Sequence, residues 1–212
     1  MPDIKNIVFD FGGVLLQIDY RLTTQRLREL LDVTFDFQHL PQPALQLLKD
    51  YETGRIGTES FLWALQHMSA GDIPDPRLLI DAWNAMLIGW NRSHFELLRS
   101  LREKYQVYLL SNTNALHLEW VYQDLKINHQ IDEFDSQFFT QTFYSHLIGM
   151  RKPDTSTYQN VAKIAGLEPS KTLFIDDLAP NTEGAARAGW QTYLHDPSDD
   201  LPSIIKDHLG LL

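Results

Sequence analysis

The 212-residue sequence contains no cysteine. That excludes disulfides, thiolate metal ligands and a cysteine nucleophile, and it removes redox chemistry as a guide to compartment. Basic residues are the minority, 18 Lys and Arg against 28 Asp and Glu, giving a formal net charge of −10 with no block of like charges. A chain of that sign does not attract nucleic acid or anionic membrane non-specifically, so neither is expected as a partner. A local anion site stays open, because one metal ion and one lysine outweigh a distant field. No apolar run approaches the roughly 20 residues that cross a bilayer. The N-terminus lacks a basic n-region followed by an apolar h-region and runs directly toward a strand. A soluble cytoplasmic protein is the expectation. The eight histidines are scattered, with no pair at metal-binding spacing. Internal repeats and low-complexity tracts are also absent.

What is present is 43% apolar and 11% aromatic residues, enough for one large domain or a core carrying an inserted module. Short apolar runs recur at Ile7–Phe9, Val107–Leu110, Phe138–Phe143, Leu173–Ile175 and Thr192–Leu194. They are brief and mostly β-branched or aromatic, as fully buried parallel strands tend to be. Helix-period segments lie between them at Ser93–Lys104, Thr155–Ala165 and Pro180–Ala188. The alternation predicts an α/β fold, a Rossmann-like parallel sheet. From about Asp19 to Asn91 the alternation stops, and the pattern reads as helices throughout: Arg21–Leu31, Pro43–Tyr51, Thr58–Met68 and Pro76–Ile88. An inserted helical module over 19–91 is expected, with a core of 1–18 and 92–212.

Ligands of open parallel sheets bind beyond the carboxyl ends of the strands. The first strand, in "NIVFDFGGVLL", ends in Asp10. "VYLLSNTN" ends in Ser111 and Asn112. "TLFIDDLAPN" ends in Asp176 and Asp177, with Asn181 four residues beyond. Lys152 sits in "GMRKPD", ahead of a helix. One carboxylate at a strand end is a common turn or cap. Three strand ends with such groups, and a loop lysine, predict a shared site on one edge. Carboxylates with no His or Cys beside them suit Mg²⁺ and not Zn²⁺. A cation, a lysine and a hydroxyl facing one carboxylate suit phosphoryl transfer, with Asp10 attacking phosphorus.

These four segments, in this order, resemble the four motifs of the haloacid dehalogenase superfamily, in its phosphatase branch. The resemblance covers essentially the whole chain and is nearest to bacterial sugar-phosphate phosphatases, including those acting on α-D-glucose 1-phosphate. It implies Asp10 as nucleophile, Ser111 as the phosphate-binding hydroxyl, Lys152 as the motif lysine and Asp176–Asp177 as the metal acids. Mg²⁺ would lie on Asp10, the Gly12 carbonyl and Asp177, with Asp176 a further ligand or a support. Ser111, Asn112 and Lys152 would hold phosphoryl oxygens. The insertion would be a cap of the C1 type, and the partner a small phosphorylated metabolite.

Gly12 departs from the pattern. The family's first motif usually carries a second Asp there, whose carbonyl binds metal and whose carboxyl protonates the leaving group. Glycine keeps the carbonyl and loses an acid–base contribution of about 10²–10⁴ in rate. Three outcomes are open: a substrate with a good leaving group, a proton donor from elsewhere such as the cap, or a silent protein that binds a phosphorylated metabolite or a partner. A metal-free 2-haloacid dehalogenase shares the missing acid, but its fourth motif lacks the pair Asp176–Asp177. "DFG" at 10–12 matches the kinase metal motif, yet no glycine-rich phosphate loop or His-Arg-Asp loop accompanies it.

Each candidate also has a plainer reading. For Ser111 it is a turn hydroxyl, for Lys152 a solvated lysine, and for Asp176–Asp177 a helix N-terminal acid pair, a role compatible with binding metal. Asn181 either orients Lys152 or the acids, or caps a turn. In "YETGRIG", Glu52 and Arg55 are candidates for cap specificity or members of a solvated turn between helices. His117 and Trp120 read as packing and surface.

Overall fold

The computed structural model describes residues 3–32 and 39–212. The expected core and cap spans therefore include residues, 1–2 and 33–38, that lie outside the described ones.

Five strands form one parallel sheet: β1 (Asn6–Phe9), β4 (Gln106–Ser111), β5 (Gln141–Tyr144), β6 (Thr172–Asp176) and β7 (Gln191–Leu194), in the order β5-β4-β1-β6-β7. β1, at the centre, is buried along its whole length, as its apolar run Ile7–Phe9 requires, and its buried Asn6 donates to the Thr172 hydroxyl at 3.2 Å. Strands β2 (Leu16–Ile18) and β3 (Leu87–Trp90) form a separate antiparallel pair.

Helices α1 (Tyr20–Leu31), α2 (Gln42–Glu52), α3 (Thr58–Gln66) and α4 (Pro76–Asn84) fall between β2 and β3. The rest alternate with the main sheet: α5 (Arg92–Arg102), α6 (Ala115–His129), α7 (Phe134–Phe138), α8 (Ser145–Ile148), α9 (Thr155–Ala165) and α10 (Ala179–Arg187). No described helix is long and apolar enough to cross a membrane. Several ends follow from local chemistry. Asp19 accepts a hydrogen bond from the Arg21 N–H to start α1. Asp75 does the same for α4, whose first residue is Pro76. Gly166 closes α9 in the left-handed conformation.

Two faces of the sheet carry two apolar clusters. One centres on Ile7, Phe9, Leu109 and Ile175, the other on Val8, Leu110, Tyr158 and Phe174. Residues that alternate along one strand thus serve opposite faces. A third cluster belongs to the helices after β2: Leu27, Leu31, Tyr51, Phe61, Leu65, Leu79 and Trp83. There the Tyr51 and Phe61 rings stack at 4.1 Å, and Trp83 meets Phe61 edge-on at 4.7 Å. Leu116 of α6 completes this cluster, and the Leu116 N–H donates to the Tyr51 hydroxyl at 3.2 Å.

Two expectations need correction. The interval 19–91 is not helical throughout: α4 stops at Asn84, and 87–90 is β3. Its backbone finds partners 70 or so positions earlier in β2, a pairing that no local periodicity encodes. The run Phe138–Phe143 is also not one strand. Phe138 ends α7, and the strand begins at Gln141. Phe134, Phe138 and Phe139 all pack into the core, so three apolar residues close in sequence arise from a helical turn and a corner.

Candidate active site

In-register parallel pairing builds the site. Phe9 is level with Leu109 on one side and Ile175 on the other. One residue further on, Asp10 and Asp176 leave adjacent strands side by side, and Ser111 ends the strand beyond. The Asp10 N–H still donates to the Ile175 carbonyl at 2.8 Å, so the nucleophile candidate keeps sheet geometry at its backbone.

Lys152 arrives from the loop ahead of α9. Its ammonium lies 2.6 Å from Asp10 Oδ1 and 2.6 Å from Asp176 Oδ2, and its side chain is 1% exposed. The loop is held by Asn112: the Lys152 N–H donates to Asn112 Oδ1 and the Asn112 amide donates to the Lys152 carbonyl, each at 2.9 Å. The Asn112 side chain is thus engaged in positioning the lysine. Asp176, 0% exposed, also accepts from the Leu178 N–H at 2.9 Å and from the Asn181 amide at 2.9 and 3.1 Å. Asn181 therefore reaches a carboxylate and does more than cap a turn. Asp10 Oδ1 additionally accepts from the Phe11 N–H at 2.6 Å.

The electrostatics are unbalanced. Carboxylate oxygens of Asp10, Asp176 and Asp177 lie within 4.8 Å of one another. Burial and the neighbouring Asp176 push the Asp10 carboxyl well up, against the pull of Lys152. Burial would raise Asp176 too, but Lys152 and its hydrogen bonds hold it below the ordinary value. Asp177 is pushed up to about 6, by burial first and Asp176 second. For Lys152, burial lowers the pKa, yet the two aspartates outweigh it and the ammonium is retained. One ammonium among three carboxylates leaves an excess of negative charge and hard oxygen donors. That donor set fits a small divalent cation. Gly13 makes room for the Asp177 carboxylate: with φ +81°, a Cβ there would run into it.

Facing this rim is a cavity of about 500 Å³ lined by Gly12, Ser111, Asn112, Thr113, Glu52, Arg151 and His117, with a long apolar wall that includes Leu45, Leu48, Trp83 and Met86. Glu52, the last residue of α2, pairs with Arg151 across the cavity wall at 2.8 Å (Oε2 to Nη2). Burial raises the Glu52 carboxyl and Arg151 opposes it. Arg55 is placed elsewhere. It is mostly exposed, pairs with Asp50 at 3.0 Å, and lines a different hollow of about 400 Å³ with Lys49 and Gly149.

Four residues at or beside the site escaped the sequence reading. Arg151 stood one position before the motif lysine without a role, and its partner was not visible. Gly13 carried a signal in the double glycine. Tyr20 lines the cavity, where burial and then Asp10, Asp177, Glu52 and Asp176 drive its hydroxyl pKa upward. His117, read as packing, stacks on Trp83 at 5.2 Å and also faces the cavity. Trp120 does pack, half-buried, against the main core.

Comparison with known proteins gives the family of the chain. The family model of haloacid dehalogenase-like hydrolases matches residues 4–189. A D-ribitol-5-phosphate phosphatase of Bacteroides thetaiotaomicron is 28% identical over 204 residues, 90% of this chain and 91% of that protein. A sesquiterpene phosphatase of Aspergillus oryzae is 28% identical over 189 residues, 87% of this chain and 86% of that one. Among solved structures, a HAD family enzyme of Bacteroides thetaiotaomicron in complex with magnesium superposes with a TM-score of 0.84 at 30% identity, covering 98% of both chains.

Proposed function

Because this chain belongs to the haloacid dehalogenase-like hydrolase family, we propose that it is a Mg²⁺-dependent phosphatase that cleaves a small phosphate monoester through an aspartyl-phosphate on Asp10. The observation that carries the reading is the bridge of Lys152 to Asp10 and Asp176, 2.6 Å each, with Asp177 beside them. Asp10, Asp177 and the Gly12 carbonyl would hold the ion. Asp176, already bound by Lys152, Asn181 and the Leu178 N–H, supports them. Bound there, Mg²⁺ supplies positive charge to the phosphoryl oxygens.

The remaining work falls to the chain's own groups. The Asp10 carboxylate attacks phosphorus. The Lys152 ammonium and the Ser111 hydroxyl donate to the phosphoryl oxygens, and Asn112 sets the loop that carries Lys152. The segment 19–91 acts as a cap over a core of 1–18 and 92–212, closing to exclude bulk water and opening to release product.

The substrate we favour is a sugar or polyol phosphate, as in the ribitol-phosphate relative. A phosphate ester with a carbon-rich alcohol is the second reading, favoured by the apolar wall of Leu45, Leu48, Trp83 and Met86 and consistent with the sesquiterpene phosphatase relative. A Mg²⁺-dependent screen of both ester classes separates them. Asp10→Asn should lower turnover at least about 10⁴-fold while circular dichroism stays native. Substantial residual activity removes Asp10 as nucleophile. Halide release without Mg²⁺ would instead mark a dehalogenase, and phosphate-ester binding without turnover a silent protein.

A further inference from the structure

We propose that Glu52 carries the proton that position 12 cannot. The proposal rests on the phosphatase reading and deepens it. Gly12 has no side chain, and the place a Cβ would take is already 3.0 Å from Ile18 Cδ1. A leaving alkoxide in the cavity still needs an acid.

Glu52 lines the same cavity as Gly12 and Ser111. Its side chain is only 15% exposed, and Arg151 fixes one oxygen at 2.8 Å. Because Arg151 immediately precedes Lys152, the loop that presents the lysine also tethers the glutamate. Two residues on, Gly54 adopts φ +67° and lies so close to the His146 carbonyl that no Cβ fits between them. The end of α2 is therefore seated on the core by backbone contact and by ion pair together. Burial raises the Glu52 carboxyl above its ordinary value and Arg151 opposes that rise.

The other titratable groups on the wall serve less well. His117 has Nδ1 3.2 Å from the Asn114 amide and Nε2 3.3 Å from the Trp83 carbonyl, and burial lowers it to about 4, leaving no proton to give near neutrality. Tyr20 sits among carboxylates, and burial together with their charge makes its hydroxyl a poorer acid for the leaving group.

The chemistry balances. As the Asp10 oxygen bonds to phosphorus and the ester P–O bond breaks, the leaving oxygen takes the Glu52 proton and departs as an alcohol. The Glu52 carboxylate then removes a proton from water, whose oxygen attacks phosphorus. The acyl-phosphate P–O bond breaks, Asp10 is restored as a carboxylate, inorganic phosphate leaves, and Glu52 is again protonated.

The test is the release of alcohol in the first turnover across esters of graded leaving-group pKa, measured with Mg²⁺ on wild type, Glu52→Gln and Glu52→Gln with Gly12→Asp. Gly12 has no left-handed φ, and the flexible end of Ile18 is what an added Cβ would meet. Glu52→Gln should slow alkyl phosphates about 10²-fold or more relative to p-nitrophenyl phosphate, which needs no proton. The added Asp should flatten that dependence again, a rescue that a merely structural role of Glu52 would not show. An unchanged dependence in Glu52→Gln, or a double variant as steep as the single one, overturns the proposal. Wild type that hydrolyses no phosphate ester at all overturns the phosphatase reading instead.

Discussion

At the sheet rim several polar side chains each tie two elements together. Lys152 joins Asp10 to Asp176, Asn181 joins α10 to Asp176, and Asn112 joins β4 to the lysine loop. On the helical side of the same cavity the wall is mostly hydrocarbon, and its main ionic feature is the single pair of Glu52 with Arg151. Around Lys152 and Asp176 the rim is a connected network in a dry setting, where each interaction is strong and the loss of one leaves a buried charge. The helical wall offers shape and a few polar points. Apart from the proton assigned to Glu52, we assign the chemistry to the first surface and discrimination among substrates to the second.

Four changes would break or sharpen that contrast. Lys152→Met should hit hardest, because it strands two buried aspartates. A loss of about 3–5 kcal/mol in unfolding free energy is expected, measured by urea denaturation. A loss under about 1 kcal/mol would show that the rim is not the rigid partner described here. Gly54→Ala comes next. A Cβ with φ +67° against the His146 carbonyl should cost roughly 2–3 kcal/mol. It should also open the helical side, seen as faster proteolysis of the Thr53–Gly57 loop, while the rim stays intact.

His117 tests the wall through pH. Burial holds it at about 4, below the ordinary 6.5. The stability gained by keeping this ring neutral is thus fully present above pH 6.5 and is lost as pH falls through 4, amounting to roughly 2–3 kcal/mol. His117→Asn should flatten the denaturation midpoint between those limits. An equally steep profile in the variant places the acid sensitivity at the rim carboxylates. Arg55→Ala should do least, within about 0.5 kcal/mol in stability and with an unchanged substrate profile, since Arg55 is 64% exposed and paired only with Asp50 among the described contacts. A changed profile would bring the second hollow into substrate selection.

Much of this protein was legible in its residues. Buried runs at Ile7–Phe9, Val107–Leu110 and Leu173–Ile175 announce strands, because only a covered parallel sheet uses continuous apolar segments. The order Asp10, Ser111, Lys152, Asp176–Asp177 announces a rim, because parallel strands place all their carboxyl ends on one edge. Helix limits came within a residue or two wherever caps such as Asp19 and Gly166 mark them. What stayed hidden depended on partners far along the chain. β3 exists because β2 is there to pair with it. Asn112 positions a lysine 40 residues away, and Glu52 meets Arg151 only once α2 is seated on the core. Residue type and periodicity report local backbone preference and burial, so they determine which elements form and which chemistry is available. Contacts between distant segments arise from the packing of those elements, so only the tertiary structure decided which acid lines the same cavity as Gly12.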